Sequence, residues 1–234
     1  MPDNYMKILF IGDIAGKIGR EAVRKILPKV KKKYGVDVVI ANADNIAHGK
    51  GATRTTINDL ITSGVDYFSN GDHAFDQPSQ IQDVYESKLP IVRPANFPPN
   101  NPGKGYGLIN VPGKNPILLI NLVGRVFMKS DYDCPFREID NILANFAKQK
   151  LSAIIVDIHA EATSEKIAMK YYLDGRVSAV VGTHTHVMTA DQEVTGAGTA
   201  YITDVGMTGA GNTSVLGVAK DEIIKLQKNV SEMM

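Results

Sequence analysis

This sequence of 234 residues has only one cysteine, no tryptophan and a net charge of only +1. The single cysteine, Cys134, excludes an internal disulfide and a cysteine-based metal cluster, and it fits a reducing compartment. Because 26 basic residues stand against 25 acidic ones, the overall charge does not favour binding to a nucleic-acid duplex or an anionic membrane. No apolar run reaches the roughly 18 residues of a membrane helix, and no signal peptide is recognisable. We therefore expect a soluble cytoplasmic protein without a membrane partner, in which any metal site uses His, Asp and Asn side chains.

The sequence does contain a regular alternation of short apolar runs and amphipathic stretches, which is typical of α/β proteins. The predicted strands are 7–11, 36–42, 66–70, 106–111, 117–122, 153–158, the apolar run from 179, and 199–203. The predicted helices run from about 19 to 34, 54 to 63, 78 onward, 135 to 148, 164 to 173 and 220 to 229, and Ser164 is the expected cap of the fifth. The segments 106–111 and 117–122 predict an antiparallel hairpin that begins a second sheet. We expect one domain over 1–234, with a disordered lead at 1–5 and a variable C-terminal helix within 219–234.

The apolar run 179–181 ends in Gly182 and is followed by two histidines, His184 and His186. An apolar run of this length before a glycine predicts a buried strand. Because alternate side chains of an extended chain point to the same side, we expect both imidazoles to face one metal centre. A pair of hydrogen-bonded surface histidines is an alternative of about equal weight.

Polar side chains also follow four other predicted strands. They are Asp13, then Asp44 with Asn45, then Asp72 with His73, and finally His159. In open α/β sheets, ligands bind beyond the carboxyl ends of the strands, so these side chains should converge on one edge. Taken singly, Asp13 would also serve as a helix cap, and His159 as a hydrogen-bonded core histidine. Their common position favours a shared site.

Three other features are given no catalytic role. The glycine-rich stretch 12–19 has the wrong spacing for a Walker A loop or a dinucleotide-binding fingerprint. The basic residues between 24 and 33 predict a solvated helix face, because no aromatic residues are interleaved with them. His48 lies in a glycine-rich loop and is interpreted as solvent-facing in preference to a substrate contact.

The candidate ligands are oxygen and nitrogen donors without sulfur, and this set suits two divalent cations about 3.5–4 Å apart. Asp13, Asp44 and Asp72 together bring three negative charges. Two divalent ions would therefore leave a net positive charge for a hydroxide and an incoming phosphate. The residues alone thus predict a dinuclear hydrolytic centre.

The order of these motifs resembles that of the calcineurin-like metallophosphoesterases, and more narrowly the bacterial YmdB branch of 2′,3′-cyclic-nucleotide phosphodiesterases. The motifs are Gly12-Asp13, Asp44-Asn45, Gly71-Asp72-His73, His159 and the run from Gly182 to His186. Family-like stretches such as ILFIGDIAGKIGR, RPANFP, VDIHAEATSEK and YITDVGMTG extend the resemblance over about 6–218. It implies a four-layer α/β sandwich of two mixed β-sheets flanked by helices.

The resemblance also implies a role for each site residue. Seven side chains would hold two metal ions: Asp13, Asn45 and His186 the first, Asp72, His159 and His184 the second, and Asp44 both. A hydroxide shared by the ions would attack phosphorus, and His73, oriented by Asp76, would donate a proton to the leaving ribose oxygen. The expected cofactors are iron or manganese, with zinc or magnesium as alternatives. The expected partner is a small phosphoester, and a homo-oligomer is compatible with the branch.

Two ligand positions differ from the usual pattern of the branch, which has Glu at the position of Asp44 and Asn at that of Asp72. The sequence also ends before the closing strands of the branch, which would leave a sheet edge for a second subunit to pair with. Two alternatives therefore stay open beside the phosphodiesterase. One is a broad-specificity phosphomonoesterase, and the other is a weakly active regulatory protein whose metal site is mainly structural. An amidohydrolase is disfavoured, because its histidine pair belongs on the first strand.

Overall fold

The computed structural model describes residues 5–211, together with the backbone of the strands Ser214–Val215 and Val218–Ala219. The predicted helix at 220–229 lies outside these residues, as does the predicted lead at 1–5 except for Tyr5. The prediction of a single domain over the whole chain stays a prediction.

The first eleven strands carry most of the architecture. They are β1 (Ile8–Ile11), β2 (Asp13–Ile14), β3 (Val38–Asn42), β4 (Tyr67–Ser69), β5 (Tyr106–Ile109), β6 (Ile117–Val123), β7 (Ala153–His159), β8 (Ala179–Thr183), β9 (Glu193–Val194), β10 (Ala200–Ile202) and β11 (Met207–Thr208). The helices are α1 (Gly16–Tyr34), α2 (Arg54–Thr62), α3 (Ile81–Tyr85), α4 (Pro135–Phe146) and α5 (Thr163–Leu173), and a 3-10 turn, Pro78–Gln80, precedes α3. Eight of these strands correspond to the predicted ones. The very short β2, β9 and β11 were not predicted.

The described strands form two main sheets and small two-stranded pairs. One sheet is parallel throughout, in the order β1-β3-β4, whereas the other is mixed, in the order β5-β6-β7-β8-β10-β9. Strands β5 and β6 pair antiparallel, which confirms the predicted hairpin at the start of the second sheet. Strands β2 and β11 form a separate parallel pair beside the first sheet.

The first sheet separates two apolar layers by the alternation of its side chains. On β3, Val39 and Ala41 face α1 and α2, whereas Val38 and Ile40 face the second sheet. All four of these side chains are buried. This strand is therefore covered on both faces, as expected for a central parallel strand.

The second sheet repeats this arrangement. On β6, Leu118, Ile120 and Leu122 pack against α4 and α5, whereas Ile117 and Leu119 face the first sheet. The order of layers is therefore helix, sheet, sheet, helix, which confirms the predicted four-layer α/β architecture. No helix in the described part of the chain is long and apolar enough to cross a membrane.

The predicted helix cap at Ser164 is wrong, and the alternative role of Asp13 as a cap is excluded. Helix α1 begins at Gly16, with Ala15 as its N-cap, so Asp13 lies in β2 and does not cap it. Helix α5 begins at Thr163 with Ala162 as its N-cap, which leaves Ser164 inside the first turn. In contrast, Thr53 caps α2 in a reciprocal pair of hydrogen bonds with Thr56.

Candidate active site

The oxygen donors of the site come from the first sheet and its neighbouring strand pair. Asp13 lies in β2 and is fully buried, while Asp44 and Asn45 lie in the turn after β3. Asp72 lies in the loop after β4 and leaves only 8% of its side chain exposed. The structure thus brings these four side chains to the carboxyl ends of neighbouring strands, as expected from the sequence.

The nitrogen donors come from the second sheet, but the histidine pair is not presented as predicted. Strand β8 ends at Thr183, and His184 and His186 both have positive φ angles, of 100° and 64°. The extended-chain argument was therefore wrong, because the chain turns sharply at each histidine. The two rings consequently reach different neighbours, His184 lying beside Asp72 and His186 beside Asn45.

His159, at the end of β7, lies at the centre of the first group of ligand atoms. Its Nε2 is 3.0 Å from His184 Nδ1, 3.2 Å from Asp72 Oδ1 and 3.5 Å from Asp44 Oδ2. The ring fits closely over the backbone of Gly71, where a Cβ atom would come within 2.3 Å of Nε2. Glycine at this position is therefore required for the ring to reach the site.

Asp13, Asn45 and His186 form the second group. His186 Nε2 lies 3.1 Å from Asn45 Oδ1 and 3.8 Å from Asp13 Oδ1. Asp13 Oδ2 accepts a hydrogen bond from the backbone N–H of His184, whereas Asp13 Oδ1 is buried and has no hydrogen-bond partner among the described residues. An orphaned buried carboxylate oxygen is unfavourable unless it binds a cation.

Burial and mutual repulsion raise the pKa of two of these carboxyl groups. Loss of solvent raises the pKa of Asp13 to about 7. Loss of solvent, followed by the charges of Asp72 and Asp13, holds the pKa of Asp44 well above its usual value. Asp72 behaves differently. Burial would raise its pKa, but its close contacts with the rings of His159 and His184 hold it well below the usual range.

The pKa values of the imidazoles are shifted in different directions. Burial lowers the pKa of His159 to about 4, so this ring is neutral at physiological pH. Burial, followed by the charge of His184, also lowers the pKa of His186. Burial acts the same way on His184, but the hydrogen bond and charge of Asp72 raise its pKa overall. Neutral rings at His159 and His186 are the form that binds a metal.

The group of donors fits a divalent metal site. The ligand atoms of Asp72, His159 and His184 all lie within 4.8 Å of one another. Two atoms bound at about 2.1 Å to one ion at a right angle lie about 3 Å apart, which is the spacing around His159 Nε2. The orphaned Oδ1 of Asp13 supplies a further anionic donor. These residues could therefore hold a metal ion.

His73 lies beside the donors and has a partner of its own. Its Nδ1 is 2.8 Å from Asp76 Oδ2, as expected if Asp76 orients the ring, and 21% of the side chain is exposed. A ring nitrogen of His73 also lies within 4.8 Å of carboxylate oxygens of Asp44 and Asp72. His48, in contrast, is exposed, in agreement with the solvent-facing interpretation.

Four residues that support the site were missed at the level of the sequence. Thr183 contacts His159, Asp157 contacts Thr183, Glu161 contacts His184, and Asp204 accepts hydrogen bonds from Thr185, which lies between the two histidines. Asp157 offered a signal, because an acidic residue inside an apolar strand must have polar partners. Glu161, Thr183 and Asp204 offered none, because polar residues in loops and at strand ends are common.

Comparison with known proteins identifies the family. The profile of the family described as YmdB-like protein matches residues 9–233. The 2′,3′-cyclic-nucleotide 2′-phosphodiesterase of Bacillus subtilis strain 168 is 48% identical over 220 residues, which are 94% of this chain and 81% of that protein. The crystal structure of a hypothetical protein from Thermus thermophilus is 44% identical and superposes with a TM-score of 0.85, covering 94% of this chain and 83% of the other.

The crystal structure of a novel phosphatase from Mycoplasma pneumoniae superposes with a TM-score of 0.88, at 38% identity, and covers 96% of this chain and 80% of that one. These matches confirm the resemblance inferred from the motifs and, with it, the prediction of an enzyme. They extend over nearly the whole chain and over most of each relative. The chain therefore belongs to the YmdB-like protein family.

Proposed function

We propose that the protein is a dinuclear-metal-dependent phosphodiesterase that opens 2′,3′-cyclic nucleotides. The observation that carries this proposal is the spacing of 3.0–3.5 Å between His159 Nε2 and the donor atoms of His184, Asp72 and Asp44, beside a histidine that has its own carboxylate partner. The name of the Bacillus subtilis relative supports the choice of substrate. Membership in the same family makes the same reaction class the first to test.

The two groups of donors divide the proposed ligands. Asp13, Asn45 and His186 are assigned to one ion, and Asp72, His159 and His184 to the other, with Asp44 between the groups. Divalent ions held there would act as Lewis acids and would lower the pKa of a bound water, which is the chemistry that phosphoester hydrolysis requires. Iron or manganese is the proposed metal because imidazole and carboxylate donors suit both.

His73 is assigned the proton that the leaving ribose oxygen needs. Because Asp76 Oδ2 lies 2.8 Å from Nδ1, it accepts the proton of that nitrogen and fixes the ring orientation. In the imidazolium form the opposite nitrogen, Nε2, also carries a proton. That proton passes to the ribose oxygen as the P–O bond breaks and leaves a neutral ring hydrogen-bonded to Asp76. The burial of Asp44 and Asp72 excludes most water from the side of the ring that faces the donors. The oxygen of a water molecule bonds to phosphorus as the P–O bond to the ribose oxygen breaks, and a nucleoside monophosphate is released.

The proposal is tested by incubating protein reconstituted with Mn²⁺ or Fe²⁺ with 2′,3′-cyclic AMP and separating the products by chromatography. The expected result is metal-dependent conversion to one adenosine monophosphate, the 3′-isomer if the 2′ bond opens as in the named relative. The proposal fails if the cyclic nucleotide stays intact in the metal-loaded protein while Asp44→Ala changes nothing.

A comparison of bis-(p-nitrophenyl) phosphate with p-nitrophenyl phosphate separates a diesterase from a monoesterase. We expect faster turnover of the diester. Faster turnover of the monoester would favour a phosphatase, the description given to the Mycoplasma structure. Fewer than two bound ions per chain, with no hydrolysis of either ester, would favour a regulatory metal-binding protein.

A further inference from the structure

Behind His159 lies a chain of buried hydrogen bonds that ends at Asp157. His159 Nδ1 is 2.9 Å from Thr183 Oγ1, and Thr183 Oγ1 donates to Asp157 Oδ1 over 2.7 Å. Asp157 Oδ2 accepts from Ser69 Oγ at 2.5 Å and from Asn42 Nδ2 at 2.9 Å. All five residues are buried. Asp157 therefore has three donors and no contact with solvent.

The donor-to-acceptor direction of these hydrogen bonds follows from the number of protons available. A threonine hydroxyl has one proton, and a carboxylate only accepts, so the hydroxyl proton of Thr183 is directed to Asp157. The oxygen of Thr183 must then accept from His159, which places the ring proton on Nδ1. The lone pair of Nε2 consequently faces Asp72 and His184.

We propose that Asp157 is a positioning residue that sets the tautomer of His159 through Thr183 and so keeps Nε2 available as a metal ligand. The metal part of this inference rests on the proposed function, whereas the tautomer does not. Hydrogen-bond partners on the far side of metal-bound histidines commonly act in this way.

A competing arrangement makes the inference testable. Asp72 Oδ1 lies 3.2 Å from Nε2 and would accept a proton there, giving the opposite tautomer. That tautomer would turn the hydroxyl of Thr183 toward His159 and remove one of the three donors of Asp157. Asp72 Oδ1 also lies 3.5 Å from His184 Nδ1, and Asp72 is less buried than Asp157. Losing a hydrogen bond from His159 therefore costs Asp72 less than losing the Thr183 donor costs Asp157.

The substitution Asp157→Asn should reverse the direction of the hydrogen bonds between residue 157, Thr183 and His159. The Oδ1 of Asn42 accepts from the backbone N–H of Asp44, which fixes its Nδ2 toward residue 157. The carbonyl oxygen of an asparagine at 157 must therefore face Asn42, and its amide group must donate to Thr183. The hydroxyl of Thr183 would then donate to Nδ1, and the proton of His159 would move to Nε2, where it blocks metal binding.

The experiment records long-range ¹H–¹⁵N correlation spectra of metal-free protein labelled at histidine, with His159 assigned through the signals lost in His159→Gln. We expect the Nδ1–H tautomer in the wild type and the Nε2–H tautomer in Asp157→Asn. In parallel, titration with Mn²⁺ should show affinity reduced about 10–100-fold in the variant. An Nε2–H tautomer in the wild type, or an unchanged tautomer in the variant, would overturn the proposal.

Two further variants keep the test decisive if Asp157→Asn does not fold. Thr183→Val removes the hydroxyl at nearly constant volume and should also give Nε2–H, whereas Thr183→Ser should restore Nδ1–H. The matched control is Ser69→Ala, which removes another donor of Asp157 and should leave the tautomer unchanged. If the tautomers respond as expected but no phosphodiester is cleaved by the wild type, the proposed function fails and the role of Asp157 stands.

Discussion

The two halves of the site differ in both chemistry and support. The half that follows the first sheet and β2 contributes the oxygen donors Asp13, Asp44, Asn45 and Asp72, whereas the half that follows β7 and β8 contributes imidazoles. On the oxygen half, burial raises the pKa of two carboxyl groups, and one carboxylate oxygen has no hydrogen-bond partner. On the imidazole half, His159 has a buried partner in Thr183, and His184 has a half-exposed partner in Glu161.

Because of this difference, the two halves affect the stability of the metal-free protein differently. A buried carboxylate without a counter-ion destabilises the fold, so the oxygen half is costly until a cation neutralises it. A neutral imidazole is tolerated in the core, and its partners fix only which nitrogen faces the site. We therefore expect substitutions on the oxygen half to affect metal binding and stability strongly. Substitutions behind the imidazoles should have smaller effects.

The largest effect should follow from Asp44→Ala. Asp44 lies beside His159 and also accepts a hydrogen bond from the backbone N–H of His73, so its loss affects the donor group around His159 and the proposed proton donor. We expect hydrolysis of 2′,3′-cyclic AMP to fall by more than the roughly 10²–10⁴-fold attributed to a general acid alone. Metal analysis should show fewer than two ions per chain. The control is His48→Ala in the same loop, which should retain full activity because His48 is exposed.

The second effect concerns His73→Ala and depends on the leaving group. The ribose alkoxide is a poor leaving group that needs a proton, so hydrolysis of 2′,3′-cyclic AMP should slow about 10²–10⁴-fold. p-Nitrophenolate leaves without a proton, so bis-(p-nitrophenyl) phosphate should lose far less. An equal loss with both substrates would contradict the proton-donor role. Asp76→Asn should give the same pattern with a smaller loss, because it removes the orientation of the ring and keeps the ring itself.

The third effect is a gain in stability from Asp13→Asn in metal-free protein. The raised pKa of Asp13, about 7, means that its stabilising contribution is complete below about 3.8 and is lost as the pH rises to about 7. At about 1.4 kcal/mol per pKa unit, the cost at pH 8 is about 4 kcal/mol, against which an unpaired amide costs about 1–3 kcal/mol. We expect the variant to be about 2 kcal/mol more stable at pH 8 by urea denaturation with a chelator present.

This advantage should shrink toward pH 4, and added Mn²⁺ should reduce it, because the ion assigned to Asp13 stabilises the wild type more than the variant. The exposed Asp131 provides the control, since Asp131→Asn should change stability little at either pH. A variant less stable than the wild type at pH 8 without metal would show that Asp13 is satisfied in some other way. The oxygen half would then carry no folding cost, and the contrast between the two halves would be lost.

The sequence was sufficient to predict which side chains gather at the site, because strand ends recur as ligand positions whatever the exact strand boundaries. It could not predict how His184 and His186 are presented, since a positive φ at a non-glycine residue has no local signature. Nor could it identify the partners of Asp157, which lie up to 115 residues away in the chain. Contacts of that kind depend on how the two sheets pack together, which periodicity does not determine.

The smallest effect should follow from Glu161→Gln, on the solvent side of the imidazole half. Glu161 Oε2 lies 3.1 Å from His184 Nε2, so it holds the outer proton of that ring, but 49% of its side chain is exposed. Because solvent screens such a contact, we expect Mn²⁺ affinity to fall about tenfold, the low end for partners of metal-bound histidines. Calorimetric titration measures this loss, and Asp157→Asn is the comparison within the same half. A larger loss for Glu161→Gln than for Asp157→Asn would mean that the mouth of the site, and not the core behind His159, controls how the imidazoles are held.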